Sequence, residues 1–297
     1  MDFTINALKD LFMVLRDSGF SFLTVESFAG NMFPASERTA ILRHDIDRLP
    51  FNALACAQME SLLDIQGTYY FRITRGSYNS KIIREISSMG HEIGYHYEDL
   101  SLVAKKNKPS FEQDGSSYQK LLAGKAYESF TKNLERLREL VPVKTACMHG
   151  SPLSRWDSRQ IWRYFDYKEL GIVCEPYFDI ILSDIHYLTD TGRRWNGSTV
   201  SVRDRVYHRD MEYYSDWVRK PVDGSAMAAG EAGNAGRPKY SFKTTGDIIR
   251  AVRENSFPDR VLITCHPQRW SLNALQWFGE LTGQKIKNGA KYFIAGN

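Results

Sequence analysis

"ILRHDIDRLPFNALACAQMESLLDIQGTYYFRI", residues 41–73, holds two β-like runs with a helical run between them. The first run, "ILRHDID", and the last, "GTYYFRI", are rich in branched and aromatic residues, whereas "LPFNALACAQMESLLDI" starts on a proline suited to a first helical turn. A strand, a crossover helix and a second strand make a parallel pair. Outward from this unit the rhythm continues. "HEIGYHYE" (91–98), "VKTACMH" (143–149), "GIVCEPYFD" (171–179) and "RVLITCHP" (260–267) read as strands. "YNSKIIREISSMG", "YESFTKNLERLRELVP", "TTGDIIRAVREN" and "SLNALQWFGEL" read as helices. The pattern predicts an α/β fold, either a doubly wound sheet or a βα barrel, and in both the chemistry collects at the carboxyl ends of the strands. Nearly every predicted strand ends there in a reactive residue: Asp45 and Asp47, His96 and Glu98, His149, Glu175 and Asp179, His266.

Strand side chains alternate faces, so Asp45 and Asp47 project to one side with Ile46 on the other. Two carboxylates in one small volume call for a cation between them or an acid/base role. The plainer alternative is that they end the strand and cap the helix that follows. In "GHEIGYHYEDL" (90–100), Glu92, Gly94, His96 and Glu98 share a face, which offers a nitrogen and an oxygen ligand from one strand end.

Composition bounds the class. The chain of 297 residues is 42% hydrophobic and 25% charged, a soluble globular balance with length enough for one large domain or two ordinary ones. Lys plus Arg exceed Asp plus Glu by 39 to 35, a net charge of +4, and no basic block suggests a nucleic-acid partner. Residues 1–20 read as an amphipathic helix with no signal-peptide pattern, and no run reaches the roughly 18 apolar residues of a transmembrane segment. A cytoplasmic protein is expected. Cys56, Cys147, Cys174 and Cys265 form no CxxC pair and are expected to be reduced and mostly buried. The polar stretch 101–120 is expected to be an excursion at the rim, and the Gly/Ala-rich stretch 222–239 a flexible loop.

Aromatic residues cluster near the strand ends. Tyr177, together with Trp156 and Trp195 among polar turn residues, is a candidate for substrate binding, with burial in the core as the alternative. Arg193 and Arg194 could grip a phosphate or acidic sugar group, or simply be surface charges.

"RHDID", "GHEIGYH", the proline-bearing loop of "MHGSP" and the late "LITCHP" together resemble the polysaccharide deacetylase family, over about residues 40–267. The chain is similar in particular to divergent members tied to bacterial surface-polysaccharide and O-antigen biosynthesis. The resemblance implies a single domain over 1–297 on a distorted (β/α) barrel of about seven strands, and a metal-dependent N-deacetylase of the cytoplasm. The substrate would be an acetamido sugar, nucleotide-linked or lipid-linked, and the cofactor a divalent metal, zinc first, with cobalt or manganese as alternatives. It assigns Asp45 as catalytic base and Asp47 as metal ligand, with Ile46 separating aspartates that are adjacent in the family and leaving their order open. His96 is the first metal histidine; the family's second falls on Leu100, so either the third ligand comes from His149 or Glu98 or the site has lost its metal, with a substrate-orienting role as the other option for His149. The family's base-orienting arginine falls on Gly150. His266 takes the place of the catalytic acid, tuned by Asp179 or Glu175. The rival classes are a non-catalytic glycan-binding protein built on the same frame, and a hydrolase of another small amide.

Overall fold

The computed structural model describes residues 1–31, 38–107, 116–150, 154, 156–180, 185–195 and 240–283. The loop expected at 222–239, Pro152, and residues 108–115 of the expected rim excursion lie outside these.

Among the described residues seven strands, all parallel, form one curved sheet, a half-barrel compatible with the expected distorted barrel. They are β1 (Ser21–Leu23), β2 (Thr39–Ile46), β3 (Thr68–Phe71), β4 (Glu92–Tyr97), β5 (Ala146–Met148), β6 (His186–Thr189) and β7 (Arg260–Cys265). The order across the sheet is β5-β4-β3-β2-β7-β6, and β1 pairs with the start of β2. Every residue of β2 is buried, as befits a central parallel strand covered on both faces.

Alternation along β2 sorts two layers. Ala40, Leu42 and Ile46 point outward into the large core beneath the helices, while Ile41 joins Val25, Tyr70, Cys147, Cys174, Ile180, Ile185 and Leu262 in an inner apolar cluster. Above Ile41 on the same inner face come Arg43 and Asp45, so the inside of the half-barrel turns from apolar to ionic toward the carboxyl rim. Gly94 of β4 is required here: a Cβ would overlap the ring of Tyr70, which crosses the interior to hydrogen bond Thr145 Oγ1 at 3.0 Å.

The helices cover the outer face. α1 (Ile5–Asp17) buries Leu8, Leu11, Phe12 and Leu15 and is capped by Thr4, matching the amphipathic helix expected at the N-terminus. α2 (Val25–Ala29) follows β1. α3 (Pro50–Ser61) starts on Pro50 after Leu49 in the left-handed region (φ 55°), with no side-chain cap. Neither Asp45 nor Asp47 caps a helix, which removes the plainer account of the pair. α4 (Ser80–Ser88) is capped by Asn79 and followed by a turn through Gly90 at φ +90°. α5 (Asp99–Lys106) replaces the start of the expected polar excursion, and α6 is Ser116–Arg138. Of the predicted strand 171–179 only an isolated bridge from Cys174 to Thr145 remains, because Pro176 opens a short helix, α7 (Pro176–Asp179). α8 (Thr245–Arg253) has a capping box between Thr244 and Asp247, and a last helix, α9, covers 274–283. No helix among the described residues is long and apolar enough to cross a membrane. All four cysteines are buried and unpaired.

Candidate metal and acid/base centre

At the carboxyl rim, β2, β4 and β5 bring Asp47, His96 and His149 together, with one ligand atom from each within 4.8 Å of the others. Asp47 Oδ1 lies 3.6 Å from His96 Nε2 and 3.2 Å from His149 Nε2. That oxygen is buried and has no aligned hydrogen-bond donor, an open acceptor that a cation would satisfy. Both imidazoles are anchored by the opposite nitrogen: His96 Nδ1 is 2.9 Å from the Cys147 carbonyl, and His149 Nδ1 is 3.2 Å from Glu98 Oε2. This is the outer-shell arrangement that leaves Nε2 for a metal and fixes the ring. Two neutral imidazoles and a carboxylate suit zinc or a similar transition ion.

The charges agree with the geometry. Burial works to raise the Asp47 carboxyl, yet the two imidazoles hold it well below the usual carboxylate range. Burial also works to lower His149, but Asp47 and Glu98 together push it up to about 9, so without a cation a proton occupies the place between them. For His96 burial dominates and the pKa falls, leaving a neutral ring, the form that ligates.

Glu98, the alternative third ligand, has its oxygens on His149 and Arg72. Its Oε2 faces His149 and its Oε1 accepts from Arg72 Nε at 2.9 Å; burial raises its pKa, but His149 and Arg72 draw it down to about 2. Leu100 is buried in α5 among the outer-core side chains.

Asp45 has a different environment. Arg43, two residues earlier on the same strand face, holds both its oxygens, Nε to Oδ1 at 2.8 Å and Nη2 to Oδ2 at 2.6 Å. Burial opposes the charge on Asp45, and Arg43 more than offsets it, so the carboxylate stays ionised far below its ordinary range. Both Asp45 oxygens are thus engaged by Arg43, whereas Oδ1 of Asp47 is open. A prediction follows from the burial of the pair, 2% and 5% exposed at the side chains. Arg43→Met leaves a buried charge without its cation and is expected to cost about 3–5 kcal/mol in urea unfolding. Arg43→Met combined with Asp45→Asn recovers much of that loss. A single variant as stable as wild type would show the pair to be dispensable.

The fourth element is His266 at the end of β7. Its Nδ1 lies 2.6 Å from Asp190 Oδ1, and its backbone N–H donates to Asp190 Oδ2 at 2.8 Å. Asp190, directly after β6, also accepts from Arg269 at 2.7 Å and from Trp270 Nε1 at 2.8 Å. It thus does what was expected of Asp179 or Glu175, and both of these are committed elsewhere. Asp179 accepts from the Tyr167 hydroxyl at 2.8 Å. Glu175 accepts from Met148 N, Tyr97 Oη and Tyr177 N, and burial raises its pKa to about 7.

The expected substrate contacts divide. Tyr177 is half-buried, with the guanidinium of Arg43 5.6 Å and that of Arg159 4.9 Å from its ring centre, and Trp156 is half-buried against the core. Arg194 is exposed. Trp195 is 2% exposed, packs on Phe3 and Trp270, and donates to Thr245 Oγ1 at 3.0 Å, so it belongs to the core. Arg193 is buried between Phe3 and Trp277, 5.3 and 5.4 Å from the ring centres, and likewise departs from the expected surface grip.

Three residues that contact the candidate site, Arg43, Asp190 and Gln268, carry no assigned role in the sequence reading. Arg43 shares the face of Asp45 and Asp47 by the same count of two that pairs the aspartates. Asp190 follows "HYLT" as Asp45 follows "ILRH", a repeated signal of a strand ending in an acid. Gln268, whose Nε2 donates to Asp47 Oδ2 at 3.0 Å, carries no such signal. No family model, curated protein or solved structure matches the chain.

Proposed function

We propose that the protein is a metal-dependent N-deacetylase acting on an acetamido sugar, the amide hydrolase that the motif resemblance implies. One observation carries the reading: an open Asp47, His96 and His149 triad shares the rim with an Arg43-held Asp45 and an Asp190-held His266. A divalent cation held by the triad would lower the pKa of water and polarise the acyl carbonyl. Asp45, ionised and fixed by Arg43, accepts the proton of the attacking water. His266, with Nδ1 held by Asp190, presents Nε2 and donates a proton to the departing nitrogen, giving acetate and the free amine. Tyr177, half-buried beside Arg43, offers a ring for the sugar face, and Trp156 is the second such ring. A nucleotide or lipid carrier on the sugar, in the assembly of a surface polysaccharide such as an O-antigen, is the setting that the resemblance suggests.

The test is elemental analysis of chelator-treated protein reloaded with zinc, cobalt or manganese and desalted, followed by acetate release from a panel of acetamido sugars. About one ion per chain is expected, as a single triad dictates, with acetate released only by the loaded protein. Protein that retains no ion after reloading sinks the reading, and a loaded protein inactive across the panel would favour the glycan-binding alternative.

A further inference from the structure

Gln268 lies in the short 3-10 turn Pro267–Arg269 immediately after β7, two residues beyond His266. It is 4% exposed. The turn is pinned from α3 by Asn52, whose Nδ2 donates to the Pro267 carbonyl at 3.2 Å and to the Trp270 carbonyl at 3.1 Å. From that fixed base the Gln268 amide reaches Asp47, Nε2 donating to Oδ2 at 3.0 Å. The orientation is dictated by charge, since only the NH2 end of an amide can face a carboxylate oxygen. Its other end, Oε1, is buried without a donor, as is Asp47 Oδ1. An amide buried with one end unpaired costs stability, and the contact with Asp47 is the one its side chain makes among the described residues.

We infer that Gln268 is a positioning residue that makes Asp47 a one-oxygen ligand. This rests on the metal reading proposed above. By occupying Oδ2 it leaves Oδ1, the oxygen facing His96 and His149, as the single open donor of that carboxylate. Asp47 lies beyond the last residue of β2; its backbone N–H donates to the Asp45 carbonyl at 3.2 Å, its carbonyl accepts from Arg72 at 3.3 Å and its Oδ1 faces His149, so on the Oδ2 side the Gln268 amide is the hydrogen bond that fixes the carboxylate among the described residues. A carboxylate free to turn would offer both oxygens and raise the coordination number. A one-oxygen Asp47 with two imidazoles instead completes three protein positions of a four-coordinate site. Gln268 therefore sets both the affinity and the coordination number of the bound ion, and β7 contributes to the centre twice, through His266 and through Gln268.

Cobalt(II) reports on this directly, because four-coordinate cobalt absorbs visible light far more strongly than six-coordinate cobalt. The full-length protein is stripped with chelator, loaded with cobalt(II), and its visible spectrum and affinity are compared with those of Gln268→Leu and Gln268→Met. Both variants keep the side-chain bulk and remove the donor, and thermal unfolding of the metal-free forms identifies one that folds. Intense bands are expected for wild type, with bands several-fold weaker in the variants and affinity reduced about 10–100-fold, the usual loss for an outer-shell partner. A folded variant with wild-type spectrum and affinity overturns the inference and leaves the metal reading standing. A wild-type protein that takes up no cobalt overturns the metal reading itself and the role of Gln268 with it.

Discussion

His96→Ala is expected to lose stoichiometric metal and, with it, turnover. The ring is 2% exposed and held at Nδ1 by the Cys147 carbonyl, so no solvent-facing rotamer competes with the inward one. Truncation leaves Asp47 and His149, two ligands, where a catalytic site of the zinc type uses three. Loss of an outer-shell partner weakens binding about 10–100-fold, and loss of a direct ligand must exceed that. A second grouping of possible ligands, Asp45, His96 and Cys147, also contains His96 and sits deeper in the half-barrel. Two further variants separate the alternatives. His149→Ala empties the proposed site and leaves the deeper one intact; Cys147→Ala does the reverse. Chemistry favours the first. Both Asp45 oxygens are already taken by Arg43. Competition with a chromophoric chelator measures all three affinities. Retention of wild-type affinity by His149→Ala, or its loss in Cys147→Ala, would move the ion to the deeper group.

The division between what is legible in the sequence and what is not follows the range of the interactions. Alternation is local, so β2, β3, β4, β5 and β7 can be read from their own residues, and the rim residues Asp45, Asp47, His96, His149 and His266 come with them. β1 (Ser21–Leu23) and β6 (His186–Thr189) are no shorter than β5 and β3, but they lie outside the longer apolar runs that mark those two, and with β6 goes Asp190. The segment 171–179 has the composition of a strand, but Pro176 cannot donate to a ladder and turns the chain into α7. Glu175 and Asp179 then act as local hydrogen-bond acceptors, away from His266. Trp195 sits among polar neighbours in sequence and is buried only because Phe3 and Trp270, 192 and 75 positions away, close over it. Gln268 is the limiting case. Nothing in "HPQRW" distinguishes it until Asn52 in α3 and Asp47 after β2 are brought to the same turn.

His266→Ala, in contrast to His96→Ala, is expected to keep the metal and lose turnover. The three proposed ligands lie in β4 and directly after β2 and β5, whereas His266 follows β7 and bonds to Asp190. Removing the imidazole does not orphan Asp190, which retains Arg269, Trp270 and the backbone N–H of position 266 as donors. The fold and the ion therefore survive. What goes is proton delivery to the amine, and a positioned acid contributes about 10²–10⁴-fold to such a step. The loss should depend on the leaving group. An acetamido sugar expels a strongly basic nitrogen that must be protonated, so its hydrolysis should fall by the full factor. An aryl acetate expels a phenolate that leaves unaided, and its hydrolysis by the metal-loaded variant should fall far less. Equal losses on amide and aryl ester would mean that His266 serves the attack on the carbonyl instead, and the base role would then have to be divided between His266 and Asp45. Unequal losses with metal retained would assign the two ends of the reaction to two strands, attack to Asp45 on β2 and departure to His266 on β7, neighbours in the sheet whose registered pairing runs up to His44 and Cys265, one residue before each of the two groups.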